Sequence, residues 1–267
     1  MIYLSELGIL HVDSDVFPFN LRVVKTLDTI QFSSSVTFFV GENGSGKSTI
    51  LEAIAAAVGL PAIGSHSVAS DETLKPARRL ARALRLSWTQ KTRKGFFLRA
   101  EDFFGFTKYI SRLRSEMEEE LRRVDEEYQD RSEYSKALAK GPFKSALYEL
   151  ESRYGIDLDA NSHGESFLKL FESRFVPNGL YLIDEPEAPL SPQSQLGFMV
   201  MLKEMVDEGS QFIIATHSPI LLAFPKASII SFDELPIKNI DYNDLEHVNL
   251  TRVFLNDPEQ FFRHLFS

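Results

Sequence analysis

The chain has 267 residues and a mass of 30.3 kDa, which fits one sizeable domain or a core with an inserted subdomain. A hydrophobic content of 43%, with 22 Phe, is enough for a buried core and excludes a disordered chain. The absence of cysteine excludes a disulfide scaffold and a thiolate metal site, and the net charge of -9 argues against a nucleic-acid coat that works by bulk charge.

The N-terminal residues lack the basic segment and the continuous apolar run of a signal peptide. No stretch approaches the roughly 20 apolar residues that span a bilayer. We therefore expect a soluble, cytoplasmic protein with no membrane insertion by this chain.

Short apolar runs and helix-forming runs alternate along both ends of the chain. Residues 35–40 and 180–183 have the pattern of buried strands, as do residues 212–216 further along. Helical patterns follow them, at 49–58, 193–206 and 220–223. This alternation predicts an α/β fold with a mostly parallel sheet covered on both faces.

The middle of the chain has a different pattern. Leu84, Leu86 and Trp88 alternate with polar or small residues, residues 89–95 have the composition of a turn, and residues 96–98 resume an extended pattern. This arrangement predicts a β-hairpin.

A long charged segment follows the predicted hairpin. From about 106 to 130, apolar residues recur every three or four positions, which predicts one long helix. A second helix is expected from about 142 to 153, after a break at Lys140-Gly141. We therefore predict a helical subdomain at 102–161, inserted into an α/β core made of 1–101 and 162–267.

A glycine-rich loop separates the first buried strand from the first helix, and its pattern is that of a Walker A motif. Its glycines let backbone N–H groups turn toward a β-phosphate, and the helix that follows directs its positive end at the same anion. Lys47 would reach the β- and γ-phosphates of ATP, and Ser48 would bind Mg²⁺. The residues of the loop are Gly41, Glu42, Asn43, Gly44, Ser45, Gly46, Lys47, Ser48 and Thr49.

The strand at 180–183 delivers two carboxylates, Asp184 and Glu185. Open α/β sheets bind their ligands at the carboxyl ends of their strands. We therefore expect Asp184 to hold the Mg²⁺ and Glu185 to orient and polarise the attacking water. A strand that ends in a solvated acidic turn is the structural alternative.

The glycine loop and the run Asp184-Glu185-Pro186-Glu187-Ala188 resemble an ABC-type ATPase, as in the transporter ATPases and the SMC and RecF repair ATPases. The whole chain resembles a group of small stand-alone bacterial predicted ATPases with such motifs. The resemblance implies a head-to-tail homodimer that closes around two Mg-ATP molecules. It also implies a signature motif, which we place at residues 161–165.

Ser162 and Gly164 match the signature motif, whereas His163 and Glu165 depart from it. In the family this helix start contacts the γ-phosphate held by the other subunit. A capping box, with Ser162 as the cap and Glu165 three residues on, is the structural alternative.

His217 follows the strand at 212–216 and resembles the switch histidine that contacts the γ-phosphate and the attacking water. The glutamine that the family places before its helical subdomain has no match, and we assign its metal-binding role to Glu101, with Gln90 as the competitor. Ser191 stands where transporter ATPases usually have Asp. An adenine-stacking aromatic residue is also expected, and Phe17 or Phe19 could serve, although packing in the core explains either one.

Residues 75–99 carry no acidic side chain. They could form a basic face for DNA or another polyanion. The structural alternative, which we favour, is a solvated patch that the acidic helix around Glu116, Glu118, Glu119 and Glu120 partly neutralises. The basic residues are Lys75, Arg78, Arg79, Arg82, Arg85, Lys91, Arg93, Lys94 and Arg99.

The sequence therefore predicts an ATPase that works as an ATP-dependent homodimer on an unknown effector, with DNA among the candidates. An ATP-binding subunit of a membrane transporter and a nucleotide-gated binding module with negligible turnover are the alternatives.

Overall fold

A central sheet and a small second sheet organise the computed structural model, which describes residues 1–10, 12, 14–63, 71–154 and 163–266. The described strands are β1 (Leu4–Ile9), β2 (Thr29–Gln31), β3 (Val36–Val40), β4 (Leu84–Trp88), β5 (Gly95–Arg99), β6 (Leu180–Asp184), β7 (Gln211–Ala215), β8 (Ser228–Ser231) and β9 (Lys238–Asn239).

The central sheet has six strands in the order β5-β6-β7-β3-β8-β9. All neighbours in it are parallel except β9, which pairs antiparallel with β8. The second sheet is antiparallel, in the order β2-β1-β4. Every residue of β3, β6 and β7 is buried, as expected for parallel strands covered on both faces. The prediction of an α/β fold with a mostly parallel sheet is therefore confirmed.

Helices cover the central sheet, and none of the described helices combines the length with the apolar character needed to cross a membrane. The helices are α1 (Arg22–Thr26), α2 (Lys47–Val58), α3 (Lys75–Ala81), α4 (Ala100–Glu127), α5 (Glu133–Tyr154), α6 (His163–Arg174), α7 (Pro192–Asp207), α8 (Pro219–Leu222), α9 (Glu246–Asn256) and α10 (Pro258–Leu265).

Alternate residues of the central strands enter two separate cores. On β6, Tyr181 and Ile183 face a core that includes residues of α4, α6, α7 and α8. Leu180 and Leu182 face a second core, which includes residues of α1, α2, α3 and the antiparallel sheet. This alternation follows from the two-residue period of a strand, and it fixes both faces of the sheet in a single register.

The predicted hairpin at residues 84–98 is wrong. β4 pairs with β1 in the antiparallel sheet, and β5 pairs with β6 in the central sheet. The burial of the two strands explains the difference. β4 alternates between half-buried and exposed residues, whereas Phe96, Phe97, Leu98 and Arg99 are all buried. A strand that is apolar on both faces buries more of its surface in the central sheet than it would beside the half-exposed β4.

The predicted helix break at Lys140-Gly141 is also wrong, because α5 begins at Glu133 and continues through Pro142. α4 and α5 pack together as a helical hairpin. Asp125 of α4 pairs with both Lys136 and Lys140, so the first turns of α5 are held from the neighbouring helix. Except for the first two residues of α4, both helices lie within the predicted subdomain. The division of this subdomain from the core at 102–161 stays a prediction.

Gln211 joins the two sheets. It is fully buried, and its Oε1 accepts hydrogen bonds from the backbone N–H groups of Tyr3 (2.8 Å) and Leu4 (2.9 Å). Its Nε2 donates to the backbone carbonyl of Leu4 at 2.9 Å. One side chain of β7 therefore satisfies three backbone groups at the start of β1.

We expect Gln211→Leu to lower the free energy of unfolding by roughly 2–4 kcal/mol, because three buried backbone groups lose their partners. Urea denaturation measures the change. Gln193→Leu is the matched control, since Gln193 is exposed on α7 and its replacement should change stability by no more than about 0.5 kcal/mol. Equal stability of the two variants would contradict the proposed link between the sheets.

Candidate functional site

The glycine loop 41–46 connects β3 to α2 with a backbone that needs glycine. Gly46 has a φ of 101°, and a Cβ on it would lie 2.6 Å from Cγ1 of Val23. Gly44 has a φ of 83°. These conformations turn the loop over the N-terminus of α2, the arrangement that presents backbone N–H groups to phosphate.

Lys47 begins α2 and is only 4% exposed. Its Nζ donates hydrogen bonds to the carbonyl oxygens of Gly41 (2.6 Å) and Glu42 (3.0 Å), so the ammonium group lies inside the curve of the loop. Burial lowers the pKa of Lys47, and the carboxylates of Asp184 and Glu185 partly oppose this effect. An anion bound in the loop would raise this pKa again and stabilise the charged form.

Asp184 ends β6 beside the start of α2. It is 7% exposed, and its carboxylate accepts a hydrogen bond from the Ser48 hydroxyl. Burial raises the pKa of Asp184 to about 7, the Ser48 hydrogen bond lowers it, and Glu185 raises it further. Oδ1 of Asp184 is buried without a hydrogen-bond partner. A buried carboxylate oxygen that lacks a donor is suited to a cation.

Ser48 and Asp184 together therefore fit a Mg²⁺ ion. Among the described residues, no group of three or more His, Cys, Asp or Glu side chains forms a cation site by itself. This agrees with the usual Mg²⁺ site of phosphate-binding enzymes, where one or two protein oxygens are completed by substrate phosphates and water.

Glu185 leaves the strand in a strained conformation. Its φ of 51° is in the left-handed region, which non-glycine residues seldom adopt, and its N–H donates to the carbonyl of Ala215 at 2.9 Å. The side chain is half-buried. Strain of this kind costs on the order of 1–3 kcal/mol and persists where the surrounding structure fixes it. Here the hydrogen bond to β7 fixes it.

His217 follows β7 at the same edge of the sheet. Its backbone N–H donates to Oε1 of Glu187 at 2.6 Å, and its Nε2 is buried without a partner. Burial lowers the pKa of His217, as does the positive charge of Lys47, while Glu185 raises it. The structure therefore brings His217, Lys47 and Glu185 into one electrostatic neighbourhood.

Two clefts flank the glycine loop. One, of about 570 Å³, is lined by residues 20–23, residues 42–45, Phe232, Asp233 and Leu235. The expected aromatic residues do not line this cleft: Phe19 is buried in the core and Phe17 is exposed. The second cleft, of about 430 Å³, has His217, Asp233 and His247 among its lining residues.

Glu101 is not brought to Ser48 and Asp184 by the contacts of the described residues. It lies in the first turn of α4, its side chain is 74% exposed, and it pairs with Arg99 at 3.1 Å. A metal-binding role for Glu101 therefore has no support from this geometry. Gln90, the competitor, is exposed beyond the end of β4.

Arg99 occupies the end of β5, directly beside Asp184 in the register of the sheet. It pairs with Asp102 (2.7 Å), Asp71 (2.9 Å), Glu101 (3.1 Å) and Glu52 (3.6 Å). Burial raises the pKa of Glu52 to about 7, and Arg99 opposes this effect.

Ser162 lies outside the described residues, and so do Asn161 and its other neighbours from 155 on. Gly164 lies in the first turn of α6, where a Cβ would be 3.0 Å from Oγ of Ser194 and 3.4 Å from the carbonyl of Pro189. The start of α6 is therefore packed against the segment that follows β6.

The basic stretch is partly neutralised, but not by the residues we predicted. The four glutamates from 116 to 120 lie on α4, where Glu116, Glu118 and Glu120 pair with arginines of the same helix. Arg99 is buried among other acids, and Arg79 lies over the ring of Phe19. The stretch still has seven exposed basic residues, Lys75, Arg79, Arg82, Arg85, Lys91, Arg93 and Lys94.

Sequence reasoning missed two residues of this neighbourhood. Asp233 follows β8, and its Oδ1 accepts a hydrogen bond from the backbone N–H of Glu42 at 2.6 Å. Glu187 contacts the His217 turn. Asp233 had a detectable signal, since it follows another apolar run at the same edge of the sheet. Glu187 was visible only as part of the acidic run at 184–187.

Two family models match the chain: one described as an AAA domain, over residues 19–71, and one described as an AAA ATPase domain, over residues 106–222. None of the curated proteins compared with the chain matches it.

Solved structures similar to the chain include an Smc head domain from Pyrococcus furiosus bound to the C-terminal domain of ScpA. It has 14% identity and a TM-score of 0.46, with 96% of this chain and 99% of that chain covered. The SMC head domain from Thermotoga maritima has 20% identity and a TM-score of 0.43, with 90% and 100% covered. An ATP-binding cassette of an ABC transporter in its ADP conformation has 18% identity and a TM-score of 0.45, with 97% and 96% covered.

The predictions of an ATPase and of ATP as its nucleotide are thus confirmed at the level of the family. The two matching family models identify the chain as an ATPase, and its α/β fold carries a glycine-rich phosphate-binding loop between β3 and α2.

Proposed function

We propose that the protein hydrolyses Mg-ATP in the cytoplasm and uses the cycle to close and open a head-to-tail homodimer that acts on a partner. One observation carries the Mg-ATP part of the proposal: Oδ1 of Asp184 is buried without a donor, beside the Ser48 hydroxyl and the start of α2. This combination supplies the protein's share of a Mg-ATP site.

Binding would begin with the exchange of hydrogen bonds at Lys47. Its ammonium group now donates to two carbonyls of the loop, and these are weaker partners than the charged oxygens of a phosphate. Ser48 and Asp184 would hold the Mg²⁺. The ion would neutralise charge that develops on the phosphates during transfer.

Glu185 would orient the attacking water and accept its proton. Its strained backbone, fixed by the hydrogen bond to Ala215, holds the carboxylate at the edge of the sheet. His217 would contact the γ-phosphate from β7. Burial keeps its imidazole in the neutral form in the absence of an anion, so that Nε2 can exchange a proton or a hydrogen bond there.

Lys47→Ala should weaken ATP binding at least about a hundredfold, because hydrogen bonds from an ammonium group to phosphate contribute about 1.5–3 kcal/mol each. Calorimetric titration with ATP measures the affinity. Lys203→Ala is the control, since Lys203 is exposed on α7 and pairs only with Asp207 among its described contacts. Unchanged affinity in Lys47→Ala would contradict the assignment of the loop.

Glu185→Gln should keep ATP affinity within a few-fold and lower turnover roughly 10²–10⁴-fold, because the amide keeps the shape and loses the base. Light scattering in Mg-ATP should then show a trapped dimer. Glu204→Gln, at an exposed position of α7, should behave as the wild type. A Glu185→Gln protein that hydrolyses ATP at the normal rate refutes the catalytic role. Negligible turnover in the wild type itself would favour a nucleotide-gated binding module.

The homodimer is tested by mixing two inactive variants, Ser162→Arg and Lys47→Ala. In a heterodimer, one composite site carries both defects and the other carries neither, so activity should reappear in the mixture. Differently tagged subunits show that heterodimers form. If Ser162 is only a helix cap, Ser162→Arg costs on the order of 1 kcal/mol of stability and leaves turnover intact. That result would remove the signature assignment.

A further inference from the structure

Glu187 is a half-buried residue whose carboxylate the mechanism above does not use. It lies in the segment between β6 and α7, three residues beyond Asp184. Its Oε1 accepts a hydrogen bond of 2.6 Å from the backbone N–H of His217, and the carboxylate also accepts from the Thr216 hydroxyl. Oε2 is buried without a hydrogen-bond partner.

The contacts of Glu187 are directed at one turn. Thr216 is fully buried, its N–H donates to the carbonyl of Phe39, and its Oγ1 accepts from the N–H of Ser218. Glu187 therefore contacts the first two residues after β7, where a small change of backbone angle would displace the His217 imidazole.

A side chain of α7 holds the other side of the turn. Oε1 of Gln195 accepts a hydrogen bond from Oγ of Ser218, and its Nε2 donates to the carbonyl of Leu190 at 3.2 Å. Ser218 in turn caps α8 by accepting from the N–H groups that follow it. The turn is thus held by Glu187 at His217 and by Gln195 of α7 at Ser218.

A carboxylate is a costly choice for a purely structural contact here, since a buried charge is unfavourable unless it is paired. Lys47, the cation described at the site, interacts electrostatically with Asp184, Glu185 and Asp233 as well as with Glu187. What Glu187 provides is a short, charge-assisted hydrogen bond that fixes the main chain of His217.

We infer that Glu187 is a positioning residue for His217 in the ATPase reaction. It acts through the backbone of Thr216 and His217 and does not touch the reacting atoms. The inference rests on the proposed role of His217, and it adds a requirement: the carboxylate must accept a hydrogen bond from the His217 N–H for the imidazole to reach the γ-phosphate.

The test compares Glu187→Leu, which removes the acceptor, with Glu187→Gln, which keeps an acceptor oxygen. Glu187→Leu should lower kcat roughly tenfold to a hundredfold with KM changed less than about threefold, since misplacement of a catalytic group by about 1 Å costs up to 10² in rate. Glu187→Gln should stay within about threefold of the wild type. Glu172→Leu, at an exposed site on α6, is the control and should keep wild-type kinetics.

Nuclear magnetic resonance gives a readout that does not depend on turnover. The backbone amide proton of His217 should resonate far downfield in the wild type and in Glu187→Gln, and should move upfield in Glu187→Leu. Where Glu187→Leu fails to fold, as judged by thermal melting, Glu187→Asp replaces it. This variant shortens the side chain by one methylene. It should lower kcat and move the His217 amide resonance upfield.

Normal turnover together with an unchanged His217 amide in Glu187→Leu would overturn the inference. A Glu187→Gln variant as inactive as Glu187→Leu, but with the wild-type amide shift, would also overturn it, because charge and not position would then be required. A wild type without ATP hydrolysis would remove the proposed function, while the amide comparison would still decide whether Glu187 holds His217.

Discussion

Four strands of the central sheet, β3, β6, β7 and β8, run in parallel and end at one edge, where the groups of the site follow them. Asp184 is beside Ala215 in the register, and Val40 is beside Ser231. Because these strands are buried on both faces, a shift of one residue in strand register would move every core side chain of the shifted strand to the opposite face of the sheet. The packing of the core therefore places Lys47, Asp184 and His217 relative to one another before any ligand binds.

This arrangement concentrates negative charge around one buried cation. Lys47 shares the site with Asp184, Glu185, Glu187 and Asp233. Burial raises the pKa of Asp184 to about 7. A carboxyl group whose pKa is higher in the folded than in the unfolded chain stabilises the fold at low pH. For Asp184 this stabilisation is complete below about pH 4, and it is lost as the pH rises from about 4 to about 7. Ionised Asp184 thus costs stability at neutral pH, a cost that a bound cation would offset.

The sequence predicted the parts of the molecule that depend on local order. The loop 41–49, the strand that ends at Asp184 and the helices on either side are set by residues close together in the chain. The partners of β4 and β5 are not, because pairing with β1 and β6 depends on burial across the whole fold. The roles of Glu187 and Arg99 could not be predicted for the same reason. They come from contacts with residues 28–30 positions away in the chain, His217 for Glu187 and Asp71 for Arg99.

The Arg99 cluster shows how the site is connected to the rest of the chain. Arg99 is beside Asp184 on the sheet and joins Glu52 of α2, Asp71 and the first turn of α4. The charge of Asp184 itself contributes to raising the pKa of Glu52. A cation bound at Asp184 would oppose that effect. The ion pairs of Arg99 therefore connect the Asp184 edge of the sheet to α2, to Asp71 and to the first turn of α4.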